Sequence, residues 1–83
     1  MSYSKAKSAR DPSQASLRQV SAKIRAELAA QGMSVDALAL KIGVARSTLR
    51  EIVAGRSNPR LLTVLAIAQG LGHPDLKSFF AGN

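Results

Sequence analysis

The sequence predicts a compact all-α domain, and three of its features lead to that prediction. Its 83 residues are 46% apolar but only 4% aromatic, so a core must be built mainly from Leu, Ile, Val and Ala. Apolar residues recur three or four positions apart along most of the chain, which is the spacing of one helix face. Glycines and prolines divide the chain into short segments. A chain of this length forms one domain at most, so we expect five short helices around a small core.

The first predicted helix follows a polar segment. Residues 1–15 mix Ser, Ala, Lys and Arg around Pro12 without an apolar period, and we predict that they form a disordered basic arm. From Leu17 onward, apolar residues fall on one helical stripe. A helix is therefore predicted over about residues 17–31, with Ser13 or Ser16 as its N-cap and Gly32 as its stop.

Two helices of about eight residues follow, joined by a glycine turn. Ser34 is a suitable N-cap for a helix over about residues 35–42, and Gly43 can supply the positive φ that a tight reversal needs. The next helix is predicted over about residues 46–53, because Leu49, Ile52 and Val53 give it an apolar face.

The last two helices follow a basic loop that Pro59 closes. The fourth predicted helix begins near Leu61 and has several residues available for the core: Leu61, Val64, Leu65, Ile67, Ala68 and Leu71. After Gly72, the segment from His73 to Phe80 predicts one or two further helical turns.

The charge of the chain suits a polyanion. Twelve Lys and Arg against five Asp and Glu give a formal net charge of +7. Such a charge also aids solubility, and composition alone leaves both interpretations open. The sequence has no cysteine, no apolar stretch of membrane-spanning length and no apolar signal region in residues 1–15. We therefore expect a cytoplasmic protein with no membrane partner.

Catalysis and metal binding find no support in the residues. His73 is the only histidine and stands beside Pro74 in a predicted turn, and the five acids lack metal-ligand spacing. We predict no enzymatic activity, no cofactor and no metal site. His73 is interpreted as a surface or capping residue.

The two short helices, the glycine turn and the basic loop have the order of a helix-turn-helix. The residues that fit this pattern are Ser34, Leu38, Ala39, Ile42, Gly43, Val44, Arg46, Ser47, Thr48, Leu49, Ile52, Gly55, Asn58, Pro59, Leu61, Ile67, Ala68, Leu71 and Gly72. With them, residues 17–72 resemble the Cro/cI-type (XRE-like) helix-turn-helix domains of phage repressors and bacterial regulators. The resemblance implies a five-helix lambda-repressor-like domain over residues 16–83, with the helix-turn-helix at 34–53 and a C-terminal helical segment at 74–80.

The resemblance also implies which residues read bases in the major groove. The matching positions are Ala45, Arg46, Ser47, Arg50 and Glu51. Arginine can hold O6 and N7 of guanine, and a carboxylate can accept from cytosine N4, so a half-site containing G·C pairs is expected. Glu51 can instead pair with Ser47 or Arg50 and orient them. Ala45 stands where the family often has a capping Ser or Thr, so it is either a weak cap or a methyl that contacts thymine.

Other positions match the backbone contacts of the family. These candidate phosphate-contacting residues are Ser34, Lys41, Thr48, Arg56, Ser57, Asn58 and Arg60. Val35 replaces a Gln that often contacts phosphate, and Val53 replaces a Glu that often pairs with an Arg on the first helix. Leu28 is expected to face Val53.

A dimer interface is expected because Leu62 stands where the family commonly has a polar residue and Ala66 is one turn further on, so the fourth helix can present an exposed apolar strip. Two recognition helices about one DNA turn apart would then require an inverted-repeat operator. The candidate residues are Leu62, Ala66, Phe79 and Phe80. Alternatively, the phenylalanines fold back over the small core.

The functional prediction is a sequence-specific transcriptional regulator, a repressor or autoregulator of Cro/cI type. Its partners would be double-stranded DNA, a second copy and RNA polymerase, in the nucleoid of a bacterium or as a phage product. Two alternatives stay open: a protein-interaction module on the same fold, such as an antitoxin or antiactivator, and a non-specific DNA-binding protein.

Overall fold

The computed structural model describes residues 12–81, and within that range it is entirely helical. Within these residues five helices succeed one another: α1 Pro12–Gln31, α2 Val35–Ile42, α3 Arg46–Val53, α4 Leu61–Gly70 and α5 Leu76–Ala81. The predicted all-α, five-helix fold class is thereby confirmed.

Helix α1 is longer than the apolar pattern indicated. It begins at Pro12, whose fixed φ suits the first helical position, and it ends at Gln31 before Gly32 with φ 63°. The predicted caps, Ser13 and Ser16, lie inside this helix, so both N-cap predictions are wrong. Residues 1–11 of the predicted basic arm lie outside the described residues.

The two short helices begin and end where the sequence predicted. The Ser34 hydroxyl accepts a hydrogen bond from the backbone N–H of Ala37 at 3.0 Å and so caps α2. Gly43 has φ 77° and turns the chain toward α3, which starts after Ala45. Ala45 has the extended backbone of an N-cap but offers no side-chain acceptor, so α3 begins uncapped.

The core lies where the faces of all five helices meet. Side chains that are completely buried come from every helix: Ile24, Leu38, Ala39, Leu49, Ile67, Ala68 and Phe79. Leu61, predicted for this core, is instead 69% exposed. It is the first residue of α4 and lies beyond the buried stripe that begins at Val64.

Helix α4 approaches α2 closely because Gly70 has no side chain. A Cβ atom built on Gly70 would lie 2.8 Å from Cδ1 of Leu38 and nearer still to Cγ2 of Ile42. Both neighbours belong to α2, the first helix of the helix-turn-helix. This contact fixes α2 against the core with little room for adjustment.

His73 connects distant parts of the chain, contrary to its interpretation as a surface or capping residue. Its Nε2 lies 3.1 Å from Oε2 of Glu27 on α1, and its Nδ1 lies 3.2 Å from Oγ of Ser78 on α5. The imidazole also meets the ring of Phe79 edge to face. The histidine therefore helps to hold α5 against α1.

Candidate nucleic-acid interface

The outer face of α3, formed by Arg46, Ser47, Arg50 and Glu51, is exposed to solvent. The opposite face of α3 carries Leu49, Ile52 and Val53, which are buried. The helix is thus held to the body by apolar contacts while its polar side chains project outward. This arrangement brings the predicted base-reading residues onto one surface, and Ala45 is exposed at its N-terminal edge.

Asp36 pairs with the arginines of this face, a role that the sequence did not reveal. The Arg50 guanidinium donates from Nε to Oδ1 of Asp36 at 3.1 Å and from Nη2 to Oδ2 at 2.7 Å. Nη1 of Arg46 lies 3.9 Å from the same Oδ2 atom. From the sequence, Asp36 is recognisable only as an acidic residue in the first turn of α2, where its charge is favourable to the helix dipole.

Glu51 forms the second ion pair of the surface, and its partner is Arg56. Nε and Nη2 of Arg56 donate to Oε1 and Oε2 of Glu51, both at 3.0 Å. The expected partners, Ser47 or Arg50, are not the ones observed. The reason is geometric: Arg50 is drawn to Asp36, and the turn at Gly55, with φ 80°, brings Arg56 back toward Glu51.

This pairing shifts the pKa of both groups. The hydrogen bonds and positive charge of Arg56 lower the pKa of the Glu51 carboxyl, and Glu51 raises the pKa of the Arg56 guanidinium. Both side chains are well exposed, so solvent screens the pair and its contribution to stability is small. Its main effect is to orient Arg56.

The predicted phosphate-contacting residues lie at the start and end of α2, on α3 and in the loop after α3. Most of them are exposed, and Ser57 is half-buried: Ser34, Lys41, Thr48, Arg56, Ser57, Asn58 and Arg60. Ser34 stands at the start of α2 and Lys41 in its last turn. The loop after α3 supplies Arg56, Ser57, Asn58 and Arg60. The Ser34 oxygen already caps α2, but its hydroxyl hydrogen remains available as a donor.

Arg25 on α1 supports the C-terminal end of α3. Its Nη1 donates to the backbone carbonyl of Val53 at 2.6 Å. The sequence assigned the position facing Val53 to Leu28, which lies in the core with 6% of its surface exposed. The acceptor of this hydrogen bond is a backbone carbonyl, which the pattern of side chains in a sequence cannot reveal.

The candidate dimer surface is only partly exposed. Leu62 is 76% exposed and Phe80 is 41% exposed, whereas Ala66 is half-buried. Phe79 has no exposed surface, so it belongs to the core and not to a surface patch. It packs against His73 and Phe80 edge to face, which corrects its assignment as an interface residue.

Within residues 12–81, no group of His, Cys, Asp and Glu has the arrangement of a metal site. In the same range, no helix combines the length and the apolar character that crossing a membrane requires.

A protein-family model described as Helix-turn-helix matches residues 24–76, well over half of the chain. The match runs from the middle of α1 to the start of α5 and includes α2, α3 and the basic loop. No curated protein and no solved structure matches the chain.

Proposed function

This chain belongs to the helix-turn-helix family of DNA-binding regulators, and from that membership we propose that it reads a specific sequence of double-stranded DNA. In this proposal, α3 is the recognition helix and lies in the major groove. The role is transcriptional regulation, with repression or autoregulation of the Cro/cI kind as the mode.

The observation that carries the proposal is the division of α3 into two faces. Arg46 and Arg50 project from a helix whose other side, at Leu49 and Ile52, is anchored in the core. A rigid helix with projecting arginines suits the major groove, where a guanidinium can contact O6 and N7 of guanine. We therefore propose that Arg46, Ser47 and Arg50 contact bases and that the half-site contains G·C pairs.

Glu51 and Ala45 have different places in this scheme. Both carboxylate oxygens of Glu51 already accept from Arg56, so we propose that Glu51 mainly orients that arginine and does not read cytosine. Ala45 offers a methyl group next to Arg46 on the exposed side, and contact with a thymine methyl remains its proposed role.

The surrounding residues would supply affinity without sequence information. Lys41, Arg56 and Arg60 carry positive charge on the exposed rim, and Ser34, Thr48, Ser57 and Asn58 add hydrogen-bond donors. Contacts of this kind go to phosphates, position the protein and make binding depend on salt. The formal net charge of +7 favours the same partner.

A homodimer on an inverted-repeat operator completes the proposal. Two recognition helices one DNA turn apart would read two half-sites related by two-fold symmetry. Bound at a promoter, such a dimer would block RNA polymerase or, bound upstream, touch it.

A protein-interaction module on the same fold is the second candidate. The observation that favours it is the exposure of large apolar side chains, with Leu40 at 85% and Leu62 at 76%. Such a module, for example an antitoxin or antiactivator, would bind DNA weakly and lose its partner when these leucines become polar.

The test is selection of binding sites from a random duplex library, followed by titration of the selected and shuffled sequences at two salt concentrations. We expect a selected site that binds at least about 10³-fold more tightly than shuffled DNA. Arg46→Ala should reduce this ratio. Arg60→Ala should weaken binding to all sequences equally and lower the salt slope by about 1.

Arg60 is the better matched control because its side chain makes no cap bond, whereas removing Arg56 would also release Glu51. Equal affinity for selected and shuffled DNA would exclude a sequence-specific regulator and leave a non-specific DNA-binding protein.

A further inference from the structure

We propose that Asp36 is a positioning residue that sets the base specificity of Arg50. This inference rests on the proposed function, because it concerns how a base-reading arginine is held. Asp36 belongs to α2 and reaches across the helix-turn-helix to a side chain on α3. It would contact no base.

The central observation is that Asp36 bonds to only one edge of the Arg50 guanidinium. An arginine has five N–H groups arranged as a fork, and the carboxylate accepts from Nε and Nη2, which form the side edge. The end edge is formed by Nη1 and the outer N–H of Nη2, and no group within residues 12–81 accepts a hydrogen bond from it. That end edge presents two parallel donors of the kind that match O6 and N7 of guanine. Asp36 thus holds Arg50 without using the donors that read the base.

Holding the arginine matters because its side chain is long and 57% exposed. A free arginine of this kind samples many rotamers, and binding must select one of them. Two hydrogen bonds to one carboxylate fix both the position and the plane of the guanidinium. Asp36 is itself anchored in the first turn of α2, two residues after Ser34, which caps that helix. The ordering is therefore in place before DNA arrives.

The charge around Asp36 is compatible with DNA nearby. Arg46 approaches the same carboxylate at 3.9 Å, so two guanidinium groups flank one acid and the cluster keeps a positive sign. A lone carboxylate facing phosphates would be repelled, whereas this one has a guanidinium group on each of two sides. The cluster therefore attracts the DNA backbone while it orders Arg50.

A second interpretation has the opposite consequence. If Asp36 were a latch that keeps the arginines away from DNA, removing its charge would strengthen binding and leave discrimination intact. If it positions Arg50, removing its charge weakens discrimination at one base pair. Measuring both the affinity for DNA and the discrimination at each base pair separates the two interpretations.

The experiment compares Asp36→Asn with two variants that also lose one negative charge. Asp75→Asn is the matched control away from the interface, since an asparagine oxygen can still accept from the Ser78 N–H as Asp75 does at 2.8 Å. Glu51→Gln removes a charge from the interface but frees Arg56, a phosphate-contacting residue. Each protein is titrated against the selected site and every single-base-pair variant of it.

We expect Asp36→Asn to lose about 10-fold in discrimination at one base pair, and Arg50→Ala to lose discrimination at that same base pair. The double variant should lose little more than Arg50→Ala alone. Asp75→Asn should keep the full pattern, and Glu51→Gln should change the affinity for all sequences by one factor. Thermal unfolding of each variant checks that the fold is retained.

A readout without DNA completes the test. The Nε–H resonance of Arg50 should shift in Asp36→Asn and stay in place in Asp75→Asn. Three results for Asp36→Asn would overturn this inference and leave the proposed function standing: an unchanged Arg50 resonance, unchanged discrimination, or tighter binding with intact discrimination. A wild-type protein that prefers no sequence would instead overturn the proposed function, and this inference with it.

Discussion

Individual side chains in this protein are held by partners far away in the sequence. Glu27 on α1 is an example, because its carboxylate lies 3.1 Å from His73, which is 46 residues away. The same carboxylate also meets two neighbours on its own helix, Lys23 at 3.5 Å and Gln31 at 3.3 Å. Burial acts to raise the pKa of the Glu27 carboxyl, but the hydrogen bonds and charges of these neighbours, above all His73, lower it overall. The ionised carboxylate is thus favoured by the folded state.

Glu27→Gln should therefore destabilise the protein at neutral pH but not in acid. A carboxyl whose folded pKa lies below its ordinary value of 4.5 stabilises the fold above that pH, and the stabilisation disappears as pH falls through the lowered folded pKa. We expect a loss of about 1 kcal/mol at pH 7, which is the usual net contribution of an intramolecular hydrogen bond. Urea unfolding of both proteins at pH 7 and in acid measures the difference. A difference that does not shrink with falling pH would contradict this prediction.

The two helices of the helix-turn-helix have equal length but begin differently. Each spans eight residues, and each is preceded by a residue with extended backbone: Ser34, with φ −82° and ψ 158°, and Ala45, with φ −60° and ψ 138°. Only Ser34 offers an oxygen to the first turn. Helix α3 therefore depends on its buried face, at Leu49, Ile52 and Val53, and on the Arg25 bond to its last carbonyl.

Ala45→Ser should stabilise the protein, since Ala45 already has the backbone that an N-cap requires. A serine oxygen there can accept from the Thr48 N–H, three residues on, as Ser34 accepts from Ala37. We expect the free energy of unfolding to rise by about 1 kcal/mol, and Ser34→Ala to lower it by a similar amount. Denaturant titration of the two variants against the wild type provides the comparison.

A second variant at Ala45 distinguishes an effect on stability from an effect on DNA recognition. Ala45→Gly removes the methyl group without weakening the cap, because glycine is a better N-cap residue than alanine. If the methyl contacts thymine, this variant should lose preference at one T·A pair and little stability. Stability that fails to rise in Ala45→Ser would show that the uncapped start of α3 does not limit the fold.

The molecule as a whole presents positive charge at the helix-turn-helix and exposed leucines on both α2 and α4. The first residues of α4 carry two of them, Leu61 at 69% and Leu62 at 76% exposed. Burial of such side chains between two copies would be favourable, and it would place two recognition helices in one complex.

Leu62→Ser should leave the fold intact, because the side chain is already exposed, but should weaken a dimer. We expect the affinity for a single half-site to stay unchanged. The ratio of the affinity for an inverted repeat to that for a half-site should fall by roughly 10²-fold or more. Sedimentation equilibrium and titration of both DNAs provide the measurements. Leu40→Ser, an equally polar change at an exposed leucine of α2, should leave the oligomeric state unaltered. A dimer that persists in Leu62→Ser would place the interface elsewhere.

Local interactions account for the parts of this fold that the sequence predicts well. The bounds of α2 and α3 follow from a capping serine, a glycine with positive φ and an apolar face, all within a few neighbouring residues. The start of α1 was missed because Pro12 begins a helix whose first residues lack an apolar stripe. The exposed arginines of α3 were likewise readable from the spacing of its buried residues.

The partners of those arginines depend on how the helices lie against one another. Asp36 is 14 residues from Arg50, Arg25 is 28 from Val53, and Glu27 is 46 from His73. Periodicity gives the face of each helix but not the rotation and distance between two helices, which packing of the whole core sets. Sequence pattern therefore predicted that Arg46 and Arg50 lie on the exposed face of α3, while the fold supplied the carboxylate that pairs with them.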